Sequence, residues 1–300
     1  MPKVPRNKRV PDAPAMRLTD RDTEIIKAVH DFRVMRSDQI EALFFGSQST
    51  ASYRLLRLYQ HEYLDRHFLP TFGGLASSPA LYTIGKYGVG VLRKVSGMEP
   101  KEIRRRPSKQ QLSPLFLEHT LKINDIRVAV TLAARDNGYK LEQWLDDTTL
   151  KADYDRVIIE VKSGVRREVS LIPDSYFVLQ VPQGRTCFFL EFDRGTMTTA
   201  RFREKVQAYS TYVASGQYER RYQTRSLRVL VVTTSRQRLH NLKRVTQEVS
   251  GGQMFWFAEF GSIDQGSVLS RPIWHTTSNR TIQATIELRG SSHRLLARLV

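Results

Sequence analysis

The spacing of apolar and polar positions in the first third of the chain predicts short helices followed by strands. Helical spacing begins after Thr19, where acidic residues occupy the first turn, as is typical of a helix start. The predicted elements are, in order, a helix opening at Thr19, a short helix after Ser37, a helix from Ser49 to His61, strands within residues 63–69 and 80–84, and a helix over residues 86–96. This is the order of a winged helix-turn-helix. In its third helix we expect Tyr53, Leu56 and Tyr59 to pack inward.

The remainder of the chain predicts an α/β order. The predicted elements are a long helix from Pro114 to about Asn137, a strand near 141–144, a polar hairpin around 157–161, apolar strand-like runs at 170–179 and 187–195, a helix over 200–215, a strand over 227–234, a helix over 236–249 and a strand over 254–258. A long helix, consecutive strands and then alternating helices and strands predict a three-layer α/β domain.

Composition suggests five segments with boundaries at changes of charge and apolar content. They are a disordered basic arm (1–16), the winged helix-turn-helix domain (17–98), a basic linker (99–113), the α/β domain (114–260) and a C-terminal extension of unknown role (261–300).

The two apolar runs of the α/β domain carry acidic residues at corresponding positions. Pro182, Gln183 and Gly184 lie between the runs and predict a β-hairpin with a loop over residues 181–184. With that loop, Asp174 faces Glu191 directly, and Asp193 lies two residues further on the same face. Carboxylates this close repel one another unless a cation, a proton or a partner charge offsets them. A divalent metal ion is one candidate.

The charge balance points to a polyanionic partner. The chain of 300 residues has 47 Lys and Arg against 30 Asp and Glu, a net charge of +17. Residues 1–110 hold 20 of the basic and 11 of the acidic residues, so positive charge is denser in the N-terminal third. Double-stranded DNA is the favoured partner, and a merely solubilising surface is the alternative.

Other features exclude several classes of protein. The lone Cys187 rules out a disulfide framework and favours a reducing compartment. No apolar run approaches membrane-spanning length and no signal peptide is recognisable, so a cytoplasmic protein without membrane contact is expected. The chain has no phosphate-cradling glycine loop, and its histidines lack metal-ligand spacing.

The candidate DNA contacts lie on the third helix, the wing and the linker. As a recognition helix, the third helix would present its polar side chains to the major groove, whereas the wing would contact backbone or minor groove. The candidates are Ser49, Ser52, Arg54 and Arg57 on the helix, Arg66 and His67 on the wing, and Arg104, Arg105 and Arg106 in the linker. The alternative is an ordinary solvated helix face in a protein-binding winged helix.

The C-terminal order of elements, with proline–aspartate and then Glu-x-Asp, resembles the PD-(D/E)XK nuclease fold. The resemblance implies that Asp174 and Glu191 hold one or two Mg²⁺ or Mn²⁺ ions that generate hydroxide. Asp193 stands where that family has lysine, and Lys205 on the next helix could supply the missing cation. The candidate catalytic residues are therefore Asp174, Glu191, Asp193 and Lys205, and Glu118 or Asp125 could add a further acid. Of these two, Glu118 is taken with Asp174 and Glu191 as a metal ligand.

Two other interpretations of the acidic residues remain open. The acids could be an inactive relic of a nuclease, or they could pair with Arg194 and Arg203 in a structural ion network. A literal Glu-x-Lys match, Glu160-Val161-Lys162, lies in a weakly apolar stretch and is interpreted as a solvated hairpin rather than a site.

The whole layout resembles the replication-relaxation family of plasmid and mobile-element proteins. The residues that carry this resemblance are "LTDRDTEIIKAVHDFRVMRSDQIEALFF", "HTLKINDIRVAV", "LIPDSYFVL", "FFLEFDRGT" with Lys205 and Tyr209 beyond, and "RVLVVTTSRQRLHNL". It implies a role in plasmid replication or DNA relaxation, without a settled reaction.

Three functional hypotheses follow. The first is a DNA-binding protein of a mobile element that acts in replication, nicking or transfer, together with other replication or transfer proteins. The second is an active Mg²⁺-dependent endonuclease. The third is a transcriptional regulator or assembly adaptor whose α/β domain binds protein.

Overall fold

The structure is a computed structural model, and it describes residues 8–68, 78–97, 103, 113–161 and 164–284. The chain divides into two compact units, Met1–Val128 and Ala129–Val300. The first unit contains α1 (Asp20–Asp31), β1 (Met35–Arg36), α2 (Ser37–Phe44), α3 (Gln48–Gln60), β2 (Leu64–Phe68), β3 (Ala80–Ile84) and α4 (Lys86–Ser96). The three strands form an antiparallel sheet in the order β1-β3-β2.

Helix α1 begins as its sequence predicts. Thr19 is the N-cap, its hydroxyl accepts from the Asp22 backbone N–H, and the Asp22 side chain accepts from the Thr19 backbone N–H. Asp22 is completely buried, and its carboxylate also accepts from the guanidinium of Arg54 on α3. Burial alone would raise the pKa of Asp22, but Arg54 and Thr19 outweigh that effect and lower it. One carboxylate therefore caps α1 and ties it to α3.

A long helix, α5 (Pro114–Asp136), follows, and residues up to Val128 belong to the first unit. Leu117 and Leu121 pack in a cluster with Val34 and Leu81. The buried Asn124 amide donates to the carbonyl of Phe32 at 3.2 Å and to that of Val34 at 2.6 Å. The sequence pattern predicts this helix wholly within the second domain. Helical spacing shows that a helix forms, but it does not show which unit the helix packs against.

The second unit is built on a mixed seven-stranded sheet in the order β12-β11-β10-β9-β8-β7-β4. Strand β9 is parallel to both β8 and β10, and the other neighbours are antiparallel. The elements are β4 (Lys140–Asp146), α6 (Asp147–Ala152), β5 (Asp155–Glu160), β6 (Arg166–Leu171), β7 (Ser175–Val181), β8 (Gly184–Asp193), α7 (Thr199–Ala214), α8 (Gln217–Tyr222), β9 (Arg228–Thr233), α9 (Arg236–Gln247), β10 (Phe255–Glu259), β11 (Pro272–Thr276) and β12 (Thr281–Gln283). The expected mixture of helices with a large sheet is confirmed.

The β7–β8 hairpin has the register that the sequence predicts. Val181 pairs with Gly184 and Ser175 pairs with Leu190, so the next opposed positions are Asp174 and Glu191. The first apolar run, however, is not one strand. It is divided at residues 172–174 between β6 and β7, which pair with different partners. Pro173 lies at this break, where no strand pairing requires the backbone N–H that proline lacks.

A single apolar core covers one face of the large sheet. It joins side chains of β7, β8, β9 and β10 to those of α7, α8, α9 and the β5–β6 hairpin. Buried aromatic rings dominate it, and Tyr209 on α7 lies 5.6 Å from Phe189 on β8, centroid to centroid. This packing fixes α7 over the end of β8.

The sheet continues beyond residue 260, where the sequence indicated only an extension. Strand β11 pairs with β10, and β12 pairs with β11. Trp274 on β11 is buried beside Trp256 on β10, with ring centroids 6.4 Å apart. Within the described ranges no helix combines the length and apolar character needed to cross a membrane.

Two glycines of α4 test how closely this helix packs against the rest of the first unit. A Cβ at Gly88 would lie 2.3 Å from the Tyr63 carbonyl oxygen, whereas a Cβ at Gly90 would meet nothing within 4 Å. We expect Gly88→Ala to lower the free energy of unfolding by about 1–3 kcal/mol through overpacking. Gly90→Ala should raise it by about 1 kcal/mol through helix propensity. Urea unfolding of both variants checks this, and equal effects of the two substitutions would contradict the packing described.

Candidate functional site

The opposed acids lie where the β7–β8 hairpin ends. The Asp174 backbone N–H donates to the Leu190 carbonyl at 3.0 Å, and the Phe192 N–H donates to Asp174 Oδ2 at 2.7 Å. Asp174 is half-buried, while Glu191 is only 6% exposed. The hairpin therefore places one carboxyl group at the protein surface and the other beneath it.

Both oxygens of Glu191 are occupied by side chains of α7. Lys205 Nζ donates to Oε2, and the Tyr209 hydroxyl donates to Oε1. Residues four apart share one face of a helix, so a single face of α7 supplies both donors. The sequence-predicted residues Asp174, Glu191 and Lys205 are thus brought together, with Tyr209 as a fourth member.

Burial and neighbouring charge set the protonation of this cluster. Burial raises the pKa of Glu191 to about 7; the Lys205 charge opposes this rise, and the Asp174 charge adds to it. Burial lowers the pKa of Lys205, but the charges of Glu191 and Asp174 outweigh burial and raise it overall. Burial and the Glu191 charge raise the pKa of Tyr209, so its hydroxyl stays a donor. Lys205 therefore remains charged beside a carboxyl group that titrates near neutrality.

Asp193 is engaged elsewhere. Its carboxylate accepts from Arg238 on α9, with Nε at 2.6 Å from Oδ2 and Nη2 at 3.0 Å from Oδ1. Arg238 also donates to the Met197 carbonyl at 2.6 Å. Paired and bidentate, Asp193 links β8 to α9 through Arg238, whereas Arg203, one of the partners considered from sequence, pairs with Glu248.

The two acids considered as extra ligands lie in the first unit, whereas Asp174 and Glu191 lie in the second. Glu118 is exposed on α5. Asp125 Oδ1 accepts from Arg36 at 2.6 Å and from Gln39 at 2.7 Å. Within the described residues, no group of three or more His, Cys, Asp or Glu side chains is placed to hold a metal ion.

The candidate DNA contacts on α3 fall into two sets. Ser49 and Ser52 are exposed. Arg54 is instead paired with Asp22 and donates to the Arg17 carbonyl at 2.9 Å. Arg57 donates to the carbonyls of residues 14 and 15 at 2.9 and 2.6 Å. The segment before α1, which was predicted to belong to a disordered arm, therefore lies along α3.

The inward face of α3 differs from the predicted one. Tyr53 and Leu56 are 61% and 39% exposed, so their predicted inward packing is wrong, whereas Tyr59 is buried as expected. The buried positions form the stripe Ala51, Leu55, Leu58 and Tyr59. This stripe has helical spacing too, so apolar spacing alone could not choose between the two faces.

The two wing candidates lie on β2, and the three candidate arginines of the linker lie outside the described residues. The Arg66 guanidinium lies 4.3 Å from the Tyr59 ring centroid and 5.6 Å from that of Phe68. His67 Nε2 lies 3.0 Å from the Thr83 hydroxyl. Arg104, Arg105, Arg106 and the loop over residues 69–77 are not among the residues described.

Comparison with known families shows to which family the chain belongs. The replication-relaxation family model matches residues 26–227, about two thirds of the chain. The chain belongs to the replication-relaxation family. No curated protein and no solved structure matches it. The family match includes Asp174, Glu191, Lys205 and Tyr209, and it ends before Arg238.

In this member of the replication-relaxation family, two residues that contact the candidate acids, Tyr209 and Arg238, were not assigned a role from the sequence. Tyr209 stands four residues after Lys205, and that spacing was the available signal. Arg238 offered a weaker signal, since it is a basic residue in the first turn of a helix, where acids are preferred.

The literal Glu-x-Lys match lies away from this cluster. Glu160 is exposed at the end of β5, and Lys162 is outside the described residues. The hairpin is more buried than predicted, because Val157 and Ile159 are 3% and 2% exposed and join the main core.

Stability as a function of pH tests the buried state of Glu191. Its pKa rises from an ordinary 4.5 to about 7 on folding, so the folded protein binds this proton more tightly. The resulting stabilisation is complete below the unfolded pKa and is lost as pH rises through about 7. We expect the free energy of unfolding of the wild type, relative to Glu191→Gln, to fall by about 2–3 kcal/mol between pH 4.5 and 8.

The matched control is Glu168→Gln, which alters a carboxylate that is 58% exposed. Chemical denaturation at several pH values measures both differences. A wild-type minus Glu191→Gln difference that stays flat over this range would contradict the assigned state of Glu191.

Proposed function

We propose that this protein binds double-stranded DNA of a plasmid or other mobile element and acts in its replication, relaxation or transfer. Membership of the replication-relaxation family is the observation that carries this proposal. The net charge of +17 supports it, since electrostatic attraction to phosphate supplies most of the sequence-independent affinity for DNA.

In this proposal the first unit is a winged helix-turn-helix that grips the duplex. Its support is the succession of three helices with a small antiparallel sheet, in which β2 and β3 form the hairpin. Helix α3 would present Ser49, Ser52 and Tyr53, which are among its exposed side chains near the N-terminus. Arg54 and Arg57 would position this helix through Asp22 and the segment before α1, rather than contact DNA directly.

The second unit would be a nuclease-like domain whose acids serve the fold. The mixed sheet and the cluster of Asp174, Glu191 and Lys205 support the PD-(D/E)XK assignment. The described residues do not fit a ready Mg²⁺ or Mn²⁺ site, because Lys205 and Tyr209 occupy both oxygens of Glu191 and no third acid joins the cluster. We therefore favour DNA binding without cleavage.

A second candidate is a metal-dependent DNA endonuclease. The observation that favours it is the position of Lys205, which contacts Glu191 and whose pKa is also raised by the charge of Asp174. In this alternative Asp174 and Glu191 would bind a divalent ion, and Lys205 would hold a charged phosphate oxygen.

One experiment separates the two candidates. The full chain is incubated with supercoiled plasmid and Mg²⁺ or Mn²⁺, and the plasmid is run on an agarose gel. DNA binding without cleavage predicts a mobility shift at low salt that weakens steeply between about 50 and 200 mM salt, with the plasmid still supercoiled after the protein is removed.

An endonuclease predicts conversion to nicked circles that Asp174→Ala abolishes. The control, Asp153→Ala, alters an 85% exposed acid of the same unit and should retain cleavage. Absence of any shift at 50 mM salt would contradict the proposed DNA binding.

A further inference from the structure

Helix α9 presents a row of basic side chains beside strand β11. Arg236, His240 and Lys243 follow one another at helical spacing and therefore lie along one flank of the helix. Arg236 and His240 are exposed, and Lys243 is half-exposed. His275 on β11 lies near them, since the charges of all three act on it. We call Arg236, His240 and Lys243 the α9 cation face.

The three side chains of this face lie close enough to His275 to influence its pKa. Burial lowers the pKa of His275, and the positive charges of Lys243, His240 and Arg236 lower it further, while Glu259 opposes them. Hydrogen bonds fix the geometry, because Gln247 at the end of α9 donates to the Thr277 carbonyl at 2.7 Å. Thr281 on β12 lies 3.2 Å from His275 Nδ1.

The charges of this face are not neutralised within the described part of the second unit. There, neither Arg236 nor Lys243 has a carboxylate at ion-pair distance. Many other surface arginines of the unit do have one, and these pairs are Arg156–Glu168, Arg167–Glu204, Arg185–Glu142, Arg203–Glu248 and Arg225–Glu219. The α9 cation face thus carries positive charge that no carboxylate at ion-pair distance neutralises among the described residues.

Arg236 also opposes the dipole of its own helix. A positive charge in the first turn of a helix is unfavourable. Arg238 in the same turn is compensated by its bidentate pair with Asp193. Arg236 has no such compensation among the described residues, so an external anion would relieve it.

We propose that the α9 cation face binds the phosphate backbone of double-stranded DNA, as a second contact surface in addition to the first unit. Arg236 and Lys243 are about 10 Å apart along the helix axis, so each can contact a different phosphate of the backbone. Contacts of this kind position a protein on DNA without reading its sequence. The inference rests on the DNA binding proposed above.

The test is fluorescence anisotropy of a labelled 24-base-pair duplex with the full chain, repeated over a range of NaCl concentrations. Arg236→Gln/Lys243→Gln should weaken binding at least about tenfold at 100 mM salt. It should also reduce the slope of log Kd against log salt by about 2, since each phosphate contact contributes about 0.9. The control, Arg156→Gln/Arg185→Gln, removes the same formal charge from the same unit at paired positions.

Acetylation footprinting provides a second measurement on the wild-type protein. Saturating duplex should protect Lys243, while Lys140, on β4 at the opposite edge of the sheet, should stay reactive. Equal loss of affinity in the two double variants, or equal reactivity changes at the two lysines, would overturn the proposal.

Two outcomes distinguish the failure of this inference from other failures. If the wild type binds duplex and Arg236→Gln/Lys243→Gln leaves affinity and salt slope unchanged, the α9 contact is wrong and the proposed DNA binding stands. If the wild type does not bind duplex at 50 mM salt, both are wrong. If the wild type binds phosphatidylglycerol vesicles and Arg236→Gln/Lys243→Gln does not, while both bind duplex equally well, the face binds a lipid surface instead.

Discussion

The second unit depends on how one buried carboxyl group, that of Glu191, is satisfied. A buried carboxylate without partners costs several kcal/mol, so its donors must be held in place. Lys205 and Tyr209, four residues apart on α7, supply both of them. This requirement fixes the rotation of α7 over β8, and the aromatic packing of Tyr209 against Phe189 fills the space beneath it. Two residues further along β8, Asp193 pairs in a similar way with Arg238 and attaches α9.

The same constraint shapes the functional conclusion. A metal ion at Asp174 and Glu191 would compete with an ammonium and a hydroxyl group that already occupy Glu191, and no third acid compensates within the described residues. Positive charge is abundant, by contrast, and in the second unit part of it is left uncompensated along α9. Acids that are used for internal contacts are consistent with the proposal that this protein holds DNA rather than cutting it.

Local patterns predicted local structure well. The Thr19 cap, the division into helices and strands, and the β7–β8 register all follow from short-range signals, and that register brings Asp174 opposite Glu191. The failures concern contacts that such signals do not encode. Arg238 meets Asp193 from 45 residues away, and the part of α5 up to Val128 belongs to the first unit. Helix α3 offered two apolar stripes of similar spacing, and packing against α2 and β2 selected the one that leaves Tyr53 exposed.

Direct titration with Mn²⁺, followed by electron paramagnetic resonance, tests most directly whether the carboxyl groups at residues 174 and 191 serve the fold or a metal ion. If Lys205 and Tyr209 satisfy Glu191, the wild-type protein will show no saturable Mn²⁺ site in the micromolar range at neutral pH. Lys205→Met, which removes the competing ammonium, will then bind Mn²⁺ more tightly than the wild type does. Stoichiometric micromolar binding by the wild type that Asp174→Ala abolishes would contradict this account and establish a metal centre.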